Sequence, residues 1–432
     1  MTLHSLPVAI IGGGPVGLAA AAQLVKRGKP FLLFEAASRL GANFLEYGHV
    51  RLFSPWRYNM DKAAASLLEK HGAALPDPDH LPLGRDIAAQ YLQPLGELPE
   101  IKPFVHLGSR VIHVAREGMD KVRTEGRNDR AFEVIVKTGT GAIRKFRARA
   151  VLDATGTWQH PNPLVSGGMP DSPDKAIHYG IPDVLGRDRH IYENKRIAVV
   201  GSGHSAFNSL LDLVLLQNEA PNTEITWIIR RSNADSLLGG GRADQLPARG
   251  ALGLRVQQAL EQGRMKLITS VLIQSYRAEK DGGVTLQAAQ DGTPAVFGPF
   301  DAVIANTGAR PDFGFLKEIR FAFDPALESV PALAPLIDPN VHSCGTVRPH
   351  GELELQQPEK DFYILGAKSY GRAPTFLMAT GYEQARSVVA YLAGDLDAAR
   401  NVELSLPETG VCSSSITIPP KAAIGAGGSC CG

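Results

Sequence analysis

The chain has 432 residues, 44% of them hydrophobic and 21% charged, with a formal net charge of +1. It is long enough for two or three packing units, because a single core rarely grows past about 250–300 residues. A near-neutral balance with no long basic run gives no pull toward nucleic acid, so partners have to be argued from local chemistry.

Residues Val8 to Val25 carry no charge and would pass a hydropathy filter for a membrane span or a signal peptide. Four glycines and a proline fall within the first ten of them, however, and no basic segment precedes them. A buried strand, a tight turn and a buried helix fit better than a span. With no export signal and only four cysteines, the expected location is the cytoplasm, where thiols stay reduced.

Pro7–Ile11 is a short apolar run suited to a central parallel strand. Gly12, Gly14 and Gly17 follow in a G-x-G-x-x-G frame, and Leu18–Arg27 reads as a helix. In such a frame the first glycine makes the turn, the second admits a pyrophosphate to the backbone, and the third lets helix and strand pack closely. The helix N-terminus supplies its positive dipole end to the phosphates. The next strand, Pro30–Ala36, carries Glu35, 18 residues after Gly17, where a carboxylate meets ribose hydroxyls.

Downstream, Ala37–Phe44 contains Arg39 in an Arg-Leu-Gly element, and Gly108–Val114 reads as a strand. Arg147–Pro161 is an apolar strand ending in Ala154-Thr155-Gly156, with Pro161 after four further residues. The first of these resembles the opening of FAD-binding oxidoreductases. The A-T-G-x-x-x-x-P element resembles that of flavin-containing monooxygenases and their relatives. The resemblance implies FAD in the first turn, with Arg39, Thr155 and Gly156 beside it and the backbone of Val111 against the adenine.

A second turn repeats the first. Ile197–Val200 reads as a buried strand, Gly201, Gly203 and Ala206 give G-x-G-x-x-A, and a helix is predicted over Phe207–Gln217. The strand Glu224–Ser232 ends in no acid but in Arg230 and Arg231, about 24 residues beyond Ala206. A carboxylate there would repel a ribose 2′-phosphate, whereas guanidinium groups can hold it bidentately, so NADPH is expected rather than NADH. The bland alternative is a solvated turn.

Phe300–Asp312, ending in Thr307-Gly308, resembles the point where such chains return to the FAD domain, and Asp361–Gly394 resembles their closing segment. There Gly366 would meet the FAD phosphates, and a helix from about Gly381 to Leu392 would end near the isoalloxazine. The expected fold class is therefore α/β, with two Rossmann-like dinucleotide-binding domains, the NADP domain inserted into the FAD domain. The boundaries expected are 1–163 and 300–400 for FAD, 164–299 for NADP, and 401–432 as a flexible tail containing cysteines.

The cysteines bear on the electron acceptor. Disulfide reductases need a redox-active pair beside the flavin, close in sequence. Cys344, Cys412, Cys430 and Cys431 supply none within either dinucleotide domain. The A-T-G element and the Gly-Ser-Gly-His-Ser-Ala turn of residues 201–206 resemble those of flavin-dependent monooxygenases, and that resemblance implies an enzyme that uses NADPH and molecular oxygen to form a flavin hydroperoxide, which oxidises a small soft-nucleophile or carbonyl substrate. One departure stands out: the F-x-G-x-x-x-H motif expected before the second turn is reduced to His178, with no Phe-x-Gly ahead of it.

Arg51–Asp61 sits where related enzymes place residues beside the flavin, so Trp56 is a candidate to cover the ring and Asn59 a candidate catalytic hydrogen-bonding group. The alternative makes Phe53 and Trp56 core residues and Asn59 the cap of the next helix. His178 and His204 are expected to be structural or to contact NADP. The C-terminal Gly-Gly-Ser-Cys-Cys-Gly resembles the terminal cysteine pair of mercuric reductase. It leaves open an NADPH-dependent reductase of a thiophilic metal or metalloid, with Cys430 and Cys431 as ligands. No other metal site is expected, and no motif in Leu238–Leu254 or Cys344–Lys360 names a substrate.

Overall fold

The computed structural model describes residues 3–169, 175–234, 246–280, 282–340, 347–374 and 376–404. All four cysteines, and with them the expectations placed on Cys430 and Cys431, lie outside these residues.

Two parallel five-stranded sheets form the framework. In the first, the strands run in the order Phe362–Ile364, Ala150–Asp153, Val8–Ile11, Phe31–Phe34, Val105–His106. In the second, the order is Ile177–Tyr179, Ala302–Ala305, Arg196–Val200, Glu224–Ile228, Lys266–Ile268. The strand leading into each glycine turn is central in its sheet. Val8–Ile11, Ala150–Asp153 and Ala302–Ala305 are buried along their whole length, as expected of strands covered on both faces.

The second sheet matches the first strand for strand. Each also has a three-stranded antiparallel sheet inserted just before its Thr-Gly strand: Ser109–Arg116, Phe132–Thr138 and Ile143–Ala148 in the first unit, Val271–Ala278, Val284–Gln290 and Thr293–Phe300 in the second. This placement corrects one sequence expectation. Ala302–Ala305 does not return to the first unit; it pairs with Arg196–Val200 and Ile177–Tyr179 and closes the second sheet. Asn306-Thr307-Gly308 is thus the second unit's own counterpart of Ala154-Thr155-Gly156.

The chain crosses between units at one place. Pro161 bridges Ala309, the Asn162 amide donates to the Gly308 carbonyl at 2.9 Å, and the Arg310 amide donates to the His160 carbonyl at 2.9 Å. The second unit is therefore an insertion whose two ends lie side by side.

Both glycine helices begin three residues earlier than the sequence pattern suggests, spanning Pro15–Lys26 and His204–Leu216, with Gly14 and Gly203 as extended N-caps. The apolar stretch from Val8 to Val25 is thus strand, turn and helix. No helix among the described residues is long and apolar enough to cross a membrane.

Asp212, partly buried on the second glycine helix, has its carboxyl pushed up to about 6, mainly by burial, with Arg255 offsetting part of the effect. Its folded value lies above the unfolded value of about 3.9, so ionising it costs stability as pH rises from about 4 through about 6. Asp212→Asn is expected to raise the urea midpoint at pH 7.5 and to lose most of that gain at pH 4.5. The same gain at both pH values would show that the carboxyl titrates normally.

Candidate active site

The first turn is built by close approach. The Gly12 amide donates to the Phe34 carbonyl at 2.8 Å, and at φ +108° a Cβ on Gly12 would lie 2.6 Å from the Ala154 carbonyl oxygen. Only glycine fits that backbone and that gap. A Cβ on Gly17 would lie 2.0 Å from the Gly12 carbonyl oxygen, so helix and strand touch there. Gly14 differs: a Cβ would meet nothing within 4 Å among the described residues. The turn thus leaves a cradle beside a helix N-terminus, the shape a pyrophosphate requires.

The second turn has the same construction. At φ +136° a Cβ on Gly201 would lie 2.1 Å from the Asn306 carbonyl oxygen, a Cβ on Gly203 would meet nothing within 4 Å among the described residues, and Ala206 is fully buried at the packing position. Both cradles fit a dinucleotide phosphate.

Glu35 is held by two backbone donors, Gly13 N–H to Oε2 and Ala37 N–H to Oε1, each at 2.7 Å. Each oxygen keeps a lone pair for a ribose hydroxyl. The register of the two sheets identifies its counterpart. Ile11 is paired with Phe34 and Val200 with Ile228, and Glu35 and Ile229 come next. Ile229 is buried, and Arg230 and Arg231 stand exposed just beyond it. Where the first site offers a carboxylate, the second offers an apolar floor and two guanidinium groups.

Other expected contacts are placed as follows. Arg39 is exposed past the second strand. Ser109 N–H donates to the Glu35 carbonyl at 2.7 Å, which brings the strand of Val111 alongside the first site. Val111 itself is buried in the core, and the ladder slips between Val111 and His113. Thr155 turns inward, its hydroxyl donating to Asp153 Oδ1 at 2.7 Å, while Gly156 takes φ +67°, where a Cβ would meet nothing within 4 Å among the described residues.

Gly366 is corrected. Its N–H is taken by Gln384 Oε1 at 2.7 Å, and a Cβ would lie 3.1 Å from Val16. It packs the start of the first glycine helix against the helix Met378–Ala393 and has no amide left for a phosphate.

Trp56 and Asn59 are corrected too. Trp56 is 1% exposed and belongs to the main core. Asn59 is equally buried: its Nδ2 donates to the Ser54 carbonyl at 2.6 Å, and its Oδ1 accepts from Ser54 Oγ at 2.9 Å. Both ends of the amide are used, so it holds the loop rather than offering a group to a ligand. Nor does it cap the next helix. Asp61 does so, accepting from the Ala64 N–H at 2.9 Å.

His204 begins the second glycine helix with its ring 5.0 Å from that of Phe53, so a loop of the first unit touches the mouth of the second turn. His178 lies on the edge strand Ile177–Tyr179; burial pushes its pKa down, and its Nε2 has no hydrogen-bond partner among the described residues.

One polar group beside the first site was not expected from the sequence. Lys368 Nζ, fully buried, donates to Asp153 Oδ2 at 2.6 Å, to Thr155 Oγ1 at 3.1 Å and to the Asp312 carbonyl at 2.6 Å. The available signal was a charge inside each of two otherwise apolar strand ends, Ala150–Gly156 and Phe362–Tyr370.

Comparisons with known proteins agree with this architecture. The pyridine nucleotide-disulphide oxidoreductase family matches residues 9–336. A ferredoxin–NADP reductase of Leuconostoc citreum is 26% identical over 228 residues, and the chain spans about half of that relative, 53%. A bacillithiol disulfide reductase from Bacillus cereus superposes with a TM-score of 0.64 at 20% identity, over 90% of this chain and 99% of that one. A cadaverine monooxygenase from Erwinia amylovora, solved with FAD, gives 0.64 at 13% identity over 93% and 98%. A flavin monooxygenase from Stenotrophomonas maltophilia gives 0.56 at 22% identity over 90% and 98%. At these identities the solved structures establish the fold. The matched family spans both glycine turns, and so the chain belongs to the pyridine nucleotide-disulphide oxidoreductases.

Proposed function

We propose that this oxidoreductase is a monooxygenase. Electrons from NADPH, held at the second turn, pass by way of FAD at the first turn to molecular oxygen. One oxygen atom enters a small soft-nucleophile or carbonyl substrate and the other leaves as water, so NADPH, a proton and O2 are consumed together. FAD supplies the hydride acceptor and the oxygen chemistry when bound. The chain's part is to seat two phosphates in the Gly14 and Gly203 cradles, to orient one ribose with Glu35, and to select the phosphorylated coenzyme with Arg230 and Arg231.

The distribution of cysteines carries this reading. Reduction of a disulfide needs a thiol pair against the flavin. Cys344, Cys412, Cys430 and Cys431 include no close pair before the last residues, and no described residue around either turn is a cysteine. The adjacent Cys430 and Cys431 favour a second reading, reduction of a thiophilic metal or metalloid, because thiolates are soft ligands.

An oxygen electrode with parallel NADPH and peroxide assays separates the two. NADPH oxidation is expected to require oxygen, and an accepted amine, thioether or ketone should lower the peroxide yield as product forms. Turnover that persists without oxygen on a metal or metalloid acceptor, and that fails in the Cys430→Ser, Cys431→Ser protein, would establish the reductase instead.

A further inference from the structure

Both chain crossings between the units are rooted at a single buried ammonium. Lys368 has three N–H donors and finds three acceptors. Asp153 ends the first unit's Thr-Gly strand, and Thr155 lies six residues before the Pro161 bridge. Asp312, whose carbonyl is the third acceptor, lies three residues after Ala309 on the returning chain. The rings of Phe313 and Phe315 stand 5.2 and 4.7 Å from the ammonium and exclude water. Asp153 uses its other oxygen to take both the hydroxyl, at 2.7 Å, and the amide, at 3.2 Å, of Thr155. One ion pair therefore fixes the outgoing root, the incoming root, and the turn against which Gly12 packs.

Stability alone does not account for it. A buried ion pair is often no more stabilising than apolar residues of the same volume. What this pair does that apolar residues cannot is set three backbone segments to directional bonds, and two of those segments carry the second unit. With the nucleotide at the second turn and the flavin at the first, as proposed above, the placement of these roots sets how closely the hydride donor approaches its acceptor. A misplacement of about 1 Å can cost about 10²-fold in rate.

We propose that Lys368 is a positioning residue for hydride transfer, the fixed root of the two-stranded hinge between the units; the inference rests on the transfer from NADPH to FAD. The test uses the full chain with Lys368→Met and Asp153→Asn together. This pair of substitutions removes both charges so that neither is left buried alone, while the side-chain amide carbonyl at position 153 still offers Thr155 an acceptor. We expect bound FAD, reduction by dithionite at the wild-type rate, an unchanged Kd for NADPH, and flavin reduction by NADPH slowed at least about tenfold. Amide exchange at Asn162 and Arg310, in the crossing, should quicken, with or without cofactor. Lys368→Arg, which keeps the charge but not the three-way fit, should slow the same step.

A double variant that is folded, loaded with FAD and reduced by NADPH at the wild-type rate would overturn the proposal. So would loss of FAD from both variants, which would make the pair a plain fold element. A wild-type enzyme that NADPH cannot reduce would instead sink the underlying transfer reading, and the inference with it.

Discussion

Gly14→Val protein is expected to purify folded and colourless, where the wild type is yellow. The backbone at Gly14, φ −85° and ψ −173°, is open to any L-residue, and a Cβ there meets no described residue beyond its chain neighbours within 4 Å. Valine at an N-cap in place of glycine costs about 1 kcal/mol, too little to unfold a two-unit protein. The side chain would project into the cradle that a pyrophosphate must enter, so the loss falls on FAD occupancy. Gly17→Ala is the contrasting case: its Cβ would lie 2.0 Å from the Gly12 carbonyl oxygen, so it should lose fold and colour together. Absorbance at the flavin band beside far-ultraviolet circular dichroism checks both. A yellow Gly14→Val protein would show that the phosphates pass elsewhere.

Removing both guanidinium groups, as Arg230→Ala with Arg231→Ala, is expected to cut the preference for NADPH over NADH at least about tenfold. A charge-assisted hydrogen bond to phosphate is worth about 1.5–3 kcal/mol, and about 1.4 kcal/mol is a factor of ten. The arginines are exposed, one and two residues beyond the buried Ile229. They should therefore act on affinity for the 2′-phosphate and leave the fold and the NADH Kd nearly unchanged. Titration of flavin reduction against each coenzyme gives the ratio, which should also weaken with added salt because exposed charges are screened. An equal loss for both coenzymes would assign these arginines some role other than reading the phosphate.

What is legible in the sequence is local. Gly12, Gly14, Gly17 and Glu35 sit within one strand-turn-helix-strand unit, so spacing alone locates the turn and its carboxylate. The same holds for Gly201, Gly203 and Ala206. Even the helix starts are within reach, since Pro15 directly after Gly14 marks a first helical residue. The strand Ala302–Ala305 is misplaced from sequence because its unit is decided by pairing with Arg196–Val200, about a hundred residues earlier. Lys368 meets Asp153 across 215 residues, and no spacing rule reaches that far. Trp56 and Asn59 mislead for a different reason. An aromatic residue and an amide near a cofactor look alike whether they face it or pack behind it, and only burial and the bonds to Ser54 decide.

The side-by-side ends of the inserted unit bear on the order in which a ribosome delivers this protein. Every strand of the second sheet has been made once Ala305 is synthesised, whereas the first sheet still lacks its edge strand Phe362–Ile364. The helix Met378–Ala393, which packs along the first glycine helix, is later still. Until Glu359 is synthesised, Arg116 and Arg127, 1% and 3% exposed in the finished protein, have no carboxylate there to neutralise them. The unit that starts second should thus be finished first, with the N-terminal part of the first unit kept waiting as an incomplete, sticky intermediate. The nascent chain is most exposed to chaperones and proteases while residues 306–393 are being added, and substitutions that loosen Val8–Ile11 or Ala150–Asp153 should lower yield in cells more than they lower the stability of the finished enzyme.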